Sequence, residues 1–516
     1  MKLYLPQNLD LFQLTSEHPI AVPNAVDKCA YICSLILMSK QYNKDRYEEE
    51  YVPLHSKKLQ SVITEYKVCV DYLCDCGVIV VNHQYIVGER SKGYKFTVEY
   101  NTVAIPFTNL RKEFRNKLKR LEVNRNGYTD HLHYITKWLN NNLKINAELV
   151  EQYINLNYNL KTEFPDLQDY DNREKRFKCP DKQYKFSSLV LERMRNQDFS
   201  HGQDQNVYRL HTNLTNMPSL MRNALTYDGE NLVSIDIKNS QPYLATLLLS
   251  NPFRLKRTTK PKTALQIDFG KKLQQTLKTF TPSENAGRNC ASSSFQDNRV
   301  DNKEEILYKE IDNDNRININ DIKLNDKSTY IMLLDQPVSP LNRDVIHYIE
   351  LVTNGEFYEY LGKLFSAEIT NDYSDRNKVK TEVLKLFFSS NRFISQPDAA
   401  AKRVFKKHFP TVYKVFSAVK KNNKADLAIL LQSIESYLLL NVIAKRISRE
   451  HPNAPIFSIH DSICTTLHYA NAVKAIMEEE LEKAIGIAPS LKPDYWMEES
   501  IHQQMRDLES RVHIAS

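Results

Sequence analysis

Glycine is scarce in this chain, 11 residues of 516. With 41% apolar residues, that scarcity describes a folded, helix-rich protein and excludes a low-complexity one. The eight cysteines form no C-x-x-C pair; the closest are Cys74 with Cys76 and Cys29 with Cys33. Structural zinc takes paired ligands with a second pair downstream, so a zinc ribbon or finger is excluded. Buried reduced thiols, and hence a reducing compartment, are the expectation. No apolar run reaches the ~18 residues of a membrane span. The opening MKLYLPQNLDLF has no charged-then-apolar signal segment, so a cytoplasmic protein without membrane partners is expected. Lys and Arg outnumber Asp and Glu by 70 to 63, a net charge of +7. So small an excess says little until its placement is known.

At this length two or three domains are expected. Residues 1–105 read as one unit: helices over Ala25–Tyr42, from Ser56 (SKKLQSVI) and from Tyr66 to Cys76, then two β-rich pieces, GVIVVNHQYIVG and KGYKFTVEY. Three helices followed by a hairpin is the order of a winged helix. Its wing would carry Arg90, Lys92 and Lys95 toward a phosphate backbone or a replication partner. The alternative is a small structural domain with a solvated basic hairpin. Residues 106–204 read as helical, polar and possibly thumb-like. Nine Lys/Arg against three Asp/Glu lie between Arg111 and Lys144, a phosphate-gripping stripe or a solvated face. Residues 257–330, rich in Asn, Asp and Ser, are expected to be a disordered insertion. Residues 340–500 return to globular patterning and 501–516 are expected as a C-terminal tail.

Three segments carry chemistry. In LVSIDIKNSQPYL an apolar run, Leu232 to Ile235, reads as a buried strand ended by Asp236. In PIFSIHDSICTT another apolar run leads to His460 and Asp461 at a tight turn between two strands. A carboxylate at the end of a buried strand is costly unless it meets a cation. Two such strands side by side could bridge two metal ions about 4 Å apart. Each Asp could instead be a hydrogen-bonded structural residue. The third segment, DRNKVKTEVLKLFFSS, spaces Arg376, Lys380, Leu384 and Phe388 by four, which aligns them on one helix stripe. Its cationic start could clamp a triphosphate and its aromatic end could stack a base. Thirteen Lys/Arg against two Asp/Glu between Arg376 and Lys424 agree, although a solvated basic helix has the same composition.

Taken in chain order, LVSIDIKNSQPYL, DRNKVKTEVLKLFFSS and PIFSIHDSICTT resemble motifs A, B and C of family A DNA polymerases and the related single-subunit RNA polymerases. Two further segments resemble elements of that family. RLHTNLTNMP, with Arg209, Asn216 and Pro218, is similar to its Arg-Leu…Asn-x-x-Pro element near the primer end. LLQSIESYLLLN, with Gln432, is similar to the helix bearing a template-strand Gln. The resemblance covers roughly residues 205–490. It implies an α+β, helix-rich right-hand core of palm, fingers and thumb behind the winged helix. It departs from the pattern where Ser389 replaces the Gly after the finger-helix aromatic. About 140 residues separate Asp236 from Lys380, more than is usual.

The resemblance implies two-metal phosphoryl transfer from nucleoside triphosphates to the 3′-hydroxyl of a primer-template. Asp236 and Asp461 would hold two Mg²⁺, or Mn²⁺, and Arg376 and Lys380 would grip the phosphates, Lys380 also protonating the leaving group. His460 either touches the primer-end phosphate or packs at the turn. Gln241, five residues after Asp236, occupies the position where the DNA polymerases crowd a 2′-hydroxyl. Phe388 lacks the tyrosine hydroxyl of the RNA branch. Both favour dNTPs, whereas Ser462 after His-Asp resembles the RNA branch. No upstream exonuclease fits, so proofreading is not expected. A single-subunit RNA polymerase or primase, and a non-catalytic DNA-binding initiator, are the competing readings. A plasmid, phage, mobile element or defence system would suit such a chain.

Overall fold

The computed structural model describes residues 2–42, 51–82, 91–171, 176–249, 342–369 and 372–515. The expected insertion at 257–330 and Arg90 of the expected wing lie outside them. The fold is α+β and rich in helix.

The chain opens with β1 (Leu3–Pro6), α1 (Leu11–Glu17) and α2 (Ala25–Tyr42). Asp10 caps α1 by accepting from the amides of Phe12 and Gln13. There follow β2 (Val52–Pro53), α3 (Ser56–Val62), α4 (Tyr66–Asp75), β3 (Ile79–Asn82), β4 (Gly93–Phe96) and β5 (Ala104–Phe107). Gly77, at φ 69°, turns the chain out of α4 in the left-handed region that a glycine enters without strain. The strands form an antiparallel sheet in the order β2–β4–β3, while β1 pairs with β5. One apolar cluster joins these elements, and it extends past residue 105. Phe114 and Leu118 of α5 (Lys112–Asn126) are buried in it. Part of the basic stripe serves this packing: Lys117 donates to the Val62 carbonyl at 2.7 Å and Arg115 to that of Leu110 at 3.0 Å. Lys112, Lys119 and Arg120 stay exposed.

Next come β6 (Leu143–Ile145), α6 (Ala147–Glu163), α7 (Pro180–Arg195) and the hairpin β7 (His201–Gln203) with β8 (Leu210–Thr212). Strand β9 (Leu225–Tyr227) turns through Asp228 and Gly229, at φ 50° and 82°, into β10 (Glu230–Ile237). An Asp-Gly pair takes two such angles readily, which suits a two-residue hairpin. Beyond α8 (Ser240–Ala245) the described chain resumes with α9 (Arg343–Thr353), α10 (Phe357–Glu368), α11 (Arg376–Phe388), α12 (Ala400–His408) and α13 (Pro410–Val419). A long helix, α14 (Asp426–Glu450), contains a π-helical stretch at Tyr437–Ile443. The chain ends with β11 (Phe457–Ile459), β12 (Ser462–Thr466), α15 (Ala470–Ile485), β13 (Leu491–Tyr495) and α16 (Glu499–Ala515).

The central sheet runs β11–β12–β10–β9–β6, with β13 also paired to β10. Alternation along β10 serves two cores. Ile235 and Ile237 enter the large cluster built by α9 through α15, whereas Leu232 enters a second cluster with Phe457, Ile459 and Cys464. That second cluster also holds Leu143, Val150 and Met194, so the 106–204 region packs on this sheet. The expected tail at 501–516 is helical: Ile501 is 0% exposed, within the same cluster. One expectation about apolar length is amended as well. Helix α14 is long and apolar enough to cross a membrane, but 67% of its apolar window is buried in the protein's own core.

The C-terminal end of α11 is held by two buried ammonium groups. Lys420, 3% exposed, donates to the Leu386 carbonyl at 2.6 Å and the Ser389 carbonyl at 3.3 Å. Lys402, also 3% exposed, donates to the Ser390 carbonyl at 2.8 Å and the Ser389 hydroxyl at 3.0 Å. A helix C-terminus carries unsatisfied carbonyls and partial negative charge, so cations belong there. Burial nonetheless depresses both amines, Lys402 to about 8 and Lys420 to about 7, Lys402's charge adding to the second shift.

Between those values and the ordinary Lys range the native state binds fewer protons than the unfolded chain. Stability therefore rises with pH above about 7, by up to about 1.4 kcal/mol per pH unit for each fully linked group. The urea midpoint of the wild type should climb from pH 7 to 9, and that of Lys420→Met should climb less. Equal slopes would refute the assignment.

Candidate active site

Register places the two predicted aspartates together. Strands β11 and β12 pair Ile459 with Ser462, leaving His460 and Asp461 as a two-residue hairpin loop. His460 sits at φ 53°, in the left-handed region where a non-glycine residue is strained. Strand β12 also pairs with β10, matching Ser462 to Asp236, and the Ile237 amide donates to the Asp461 carbonyl at 3.4 Å. Asp236 is thus the penultimate residue of its strand, beside the loop that carries Asp461. The Ser234 hydroxyl donates to Asp236 Oδ1 at 2.9 Å, and its oxygen lies 2.9 Å from the Ser462 hydroxyl. On the other edge of β10, Lys492 of β13 stands opposite Asp236.

These groups lie close enough for their charges to act on one another. Burial pushes the Asp461 carboxyl up to about 6, with the charge of Glu435 adding, then that of Asp236, and Arg209 opposing. His460, exposed at the tip of the loop, is pushed down to about 4 by partial loss of water around its ring first and then by Arg209, Arg222 and His211. Its ring is therefore neutral at physiological pH. Arg222 is fixed by donating to the carbonyls of Leu214 and Met217, each at 3.1 Å.

Glu435 was not foreseen. It is 1% exposed on α14 and accepts from Arg209 Nε at 3.0 Å, from Gln241 Nε2 at 2.6 Å and from the Ser240 hydroxyl at 3.1 Å. Gln241, read as crowding a sugar, is therefore tied to a carboxylate. Its Oε1 and both side-chain amide atoms of nearby Asn239 are buried without a hydrogen-bond partner. Such orphans are rare in a folded protein and call for a bound group or water. The available signal for Glu435 was a lone acid inside an apolar helix, three residues after Gln432, which needs partners once buried.

The predicted finger stripe is less closely joined to the carboxylates. Helix α11 turns Val379, Val383, Leu386 and Phe387 into the core, leaving Arg376 and Lys380 exposed and Leu384 and Phe388 half-buried. Arg376 pairs with Glu359 at 2.7 Å and lies 4.9 Å from the centre of the Tyr358 ring. Tyr358 is the link to the site. Burial raises its hydroxyl to about 12, with Arg376 lowering it and Asp461 raising it. Phe388 packs beside Phe387, with ring centres 6.3 Å apart. Asn216 donates to the Thr212 carbonyl at 3.2 Å and so serves its own turn, while Gln432 is half-buried on α14, its carbonyl accepting from Ser436. A small pocket lined by Arg209, His211, Ser436, Ser458 and His460 opens beside the loop.

Among the described residues no group of three or more His, Cys, Asp or Glu side chains is arranged to hold a metal ion. Glu435 is occupied by its three donors, which leaves Asp236 and Asp461. That all-oxygen pair fits Mg²⁺, which commonly takes one or two carboxylates and completes its shell with phosphate oxygens and water.

No protein-family model matches the chain, and no curated protein matches it. Among solved structures, a similar chain is the POL domain of Pol1 from M. smegmatis in complex with DNA primer-template and dNTP. It has a TM-score of 0.37 and 9% identity, covering 91% of this chain and 81% of that one. A likeness that loose carries no functional weight.

Because the native Asp461 carboxyl titrates near 6 rather than at the ordinary 3.8, the native state binds more protons than the unfolded chain across that interval. Its contribution to stability is full below about 3.8 and is lost as pH rises through 6. Asp461→Asn should therefore stabilise the metal-free protein at pH 8 by about 1–2 kcal/mol, after discounting for partial exposure, and hardly at pH 4. Urea unfolding at both pH values measures this, and a stabilisation equal at both would count against it.

Proposed function

We propose that this chain is a template-directed nucleotidyltransferase, a cytoplasmic family A-like DNA polymerase adding dNTPs to a primer 3′-hydroxyl without proofreading. The observation that carries the reading is the register of β10 on β12, which sets Asp236 beside Asp461 next to Arg209. The orphaned polar atoms of Asn239 and Gln241 in the same turn support a ligand that brings its own donors and acceptors.

Asp236 and Asp461 would hold Mg²⁺, which when bound supplies activation of the primer hydroxyl and neutralises phosphate charge. The Ser234 hydroxyl orients the Asp236 carboxylate. Arg376, steadied over Tyr358, and Lys380, free to reach outward, would bind the triphosphate, with Lys380 donating a proton to the departing pyrophosphate. Arg209 and the neutral His460 border the pocket assigned to the primer end, and Gln432 and Asn216 are assigned to the template-primer side. Gln241 would crowd a 2′-hydroxyl, with Leu384 and Phe388 beneath the base.

The first unit is proposed as a winged helix. Its element order, α2–β2–α3–α4–β3–β4, and sheet order, β2–β4–β3, support that reading. Lys57 and Lys58 on α3 and Lys92 and Lys95 on the hairpin would meet a phosphate backbone or an acidic replication partner. The exposed face of α4 carries Asp71 and Asp75 against Lys67 and is poorly suited to a groove.

Primer extension on DNA and RNA templates, with dNTPs and rNTPs supplied separately, tests the proposal. The wild type should extend with dNTPs, and Asp461→Ala should lose on the order of 10³-fold or more in rate. Preference for rNTPs would indicate an RNA polymerase or primase, and no extension with either set would sink the catalytic reading. In a parallel measurement Mg²⁺ should raise the melting temperature of the wild type and leave that of Asp461→Asn unmoved. DNA binding without any metal response would point to a non-catalytic initiator.

A further inference from the structure

We propose that Glu435 is a positioning residue that fixes Gln241 for sugar discrimination and couples it to Arg209, an assignment that rests on the polymerase reading above. Both oxygens of this buried carboxylate are used, and by different parts of the chain. Oε1 takes the guanidinium of Arg209, from the end of the β7–β8 hairpin. Oε2 takes the amide nitrogen of Gln241 at 2.6 Å and the hydroxyl of Ser240 at 3.1 Å, from the first turn of α8.

A carboxylate only accepts hydrogen bonds, so Gln241 must present its NH₂ to Glu435. The amide carbonyl is thereby turned the other way, and Gln241 Oε1 is buried without a partner. A free glutamine meeting an extra hydroxyl would step aside at the cost of a rotamer change. This one must first break a short, charge-assisted bond to a group almost sealed from water. Discrimination at this position then depends on the anchoring of Gln241 as well as on its size.

Arg209 completes the device. It is the cation paired with Glu435, and it borders the pocket beside His460. A primer-end phosphate that draws Arg209 toward itself leaves Glu435 more dependent on Gln241 and Ser240. Seating of the primer would therefore tighten the anchor.

The test is the ratio of kcat/KM for dNTP to that for rNTP in primer extension at pH 8. It compares the wild type, Glu435→Gln, Gln241→Ala, their double variant and Gln241→Glu. The ratio is internal to one preparation, so a smaller folded fraction cancels. A charge-assisted bond exceeds a neutral one by enough that Glu435→Gln should lower the ratio by roughly tenfold. Gln241→Ala should lower it at least as far, and the double variant should fall no further than Gln241→Ala alone. Gln241→Glu keeps the size but cannot donate to Glu435, so it should also lower the ratio. An unchanged ratio in Gln241→Glu and Glu435→Gln, with extension intact, would overturn the assignment and leave the polymerase reading standing. A wild type that extends with neither nucleotide set would remove that reading and this one together.

Discussion

Acidic side chains from three distant segments meet where β10 leaves the sheet: Asp236, Asp461 and Glu435. Gathering like charges in a half-buried place opposes folding, because each carboxylate loses water while repelling its neighbours. Arg209 offsets part of this through its bonds to Glu435. The rest is borne by the surrounding fold, through the backbone pairing of β10 with β12 and the apolar clusters on either face of the sheet. That conflict pushes the Asp461 carboxyl above the ordinary carboxylate range. Positive charge brought between the two aspartates would relieve it.

The rest of the site follows from how those acids are held. The hairpin loop is so short that Asp461 has little freedom, and His460 accepts a left-handed backbone to keep it that way. Ser234, two residues before Asp236, shares its face and orients it. Helix α14 presents Glu435 from a run of apolar residues that anchors it in the large core. Helix α11 is held at its far end by Lys402 and Lys420, which leaves its cationic start in solvent where Arg376 and Lys380 can meet an anion.

Much of this was legible in the sequence where patterning was strong. The helices at Ala25–Tyr42, Arg376–Phe388 and Ala470–Ile485 follow their apolar spacing, and the apolar runs before Asp236 and Asp461 form strands that pair. Less was legible where contacts are made at long range. Strand β13, LKPDY, contains a proline and no apolar alternation, and it exists because β10 offers it an edge. Strand β6 is three residues long, too short for a period to register. The last residues looked like a tail because Ile501 and Leu508 gain meaning only from the surface that covers them. Glu435 was hidden for the same reason: its partners, Arg209, Ser240 and Gln241, lie about 200 residues away in sequence.

The pairing of Ser462 with Asp236 also bears on how this chain can vary. The spacing of the two aspartates is set across the sheet by backbone rungs and owes nothing to the length of chain between them. Closing a longer loop costs little, about 0.6 kcal/mol for each doubling. The chain between the two acids could therefore change in length in related molecules while the acids keep their places. A single inserted residue within β10 itself would be another matter. It would turn every following side chain to the opposite face and carry Asp236 from the side it shares with Ser234 to the side of Ile235 and Ile237, into the large apolar cluster.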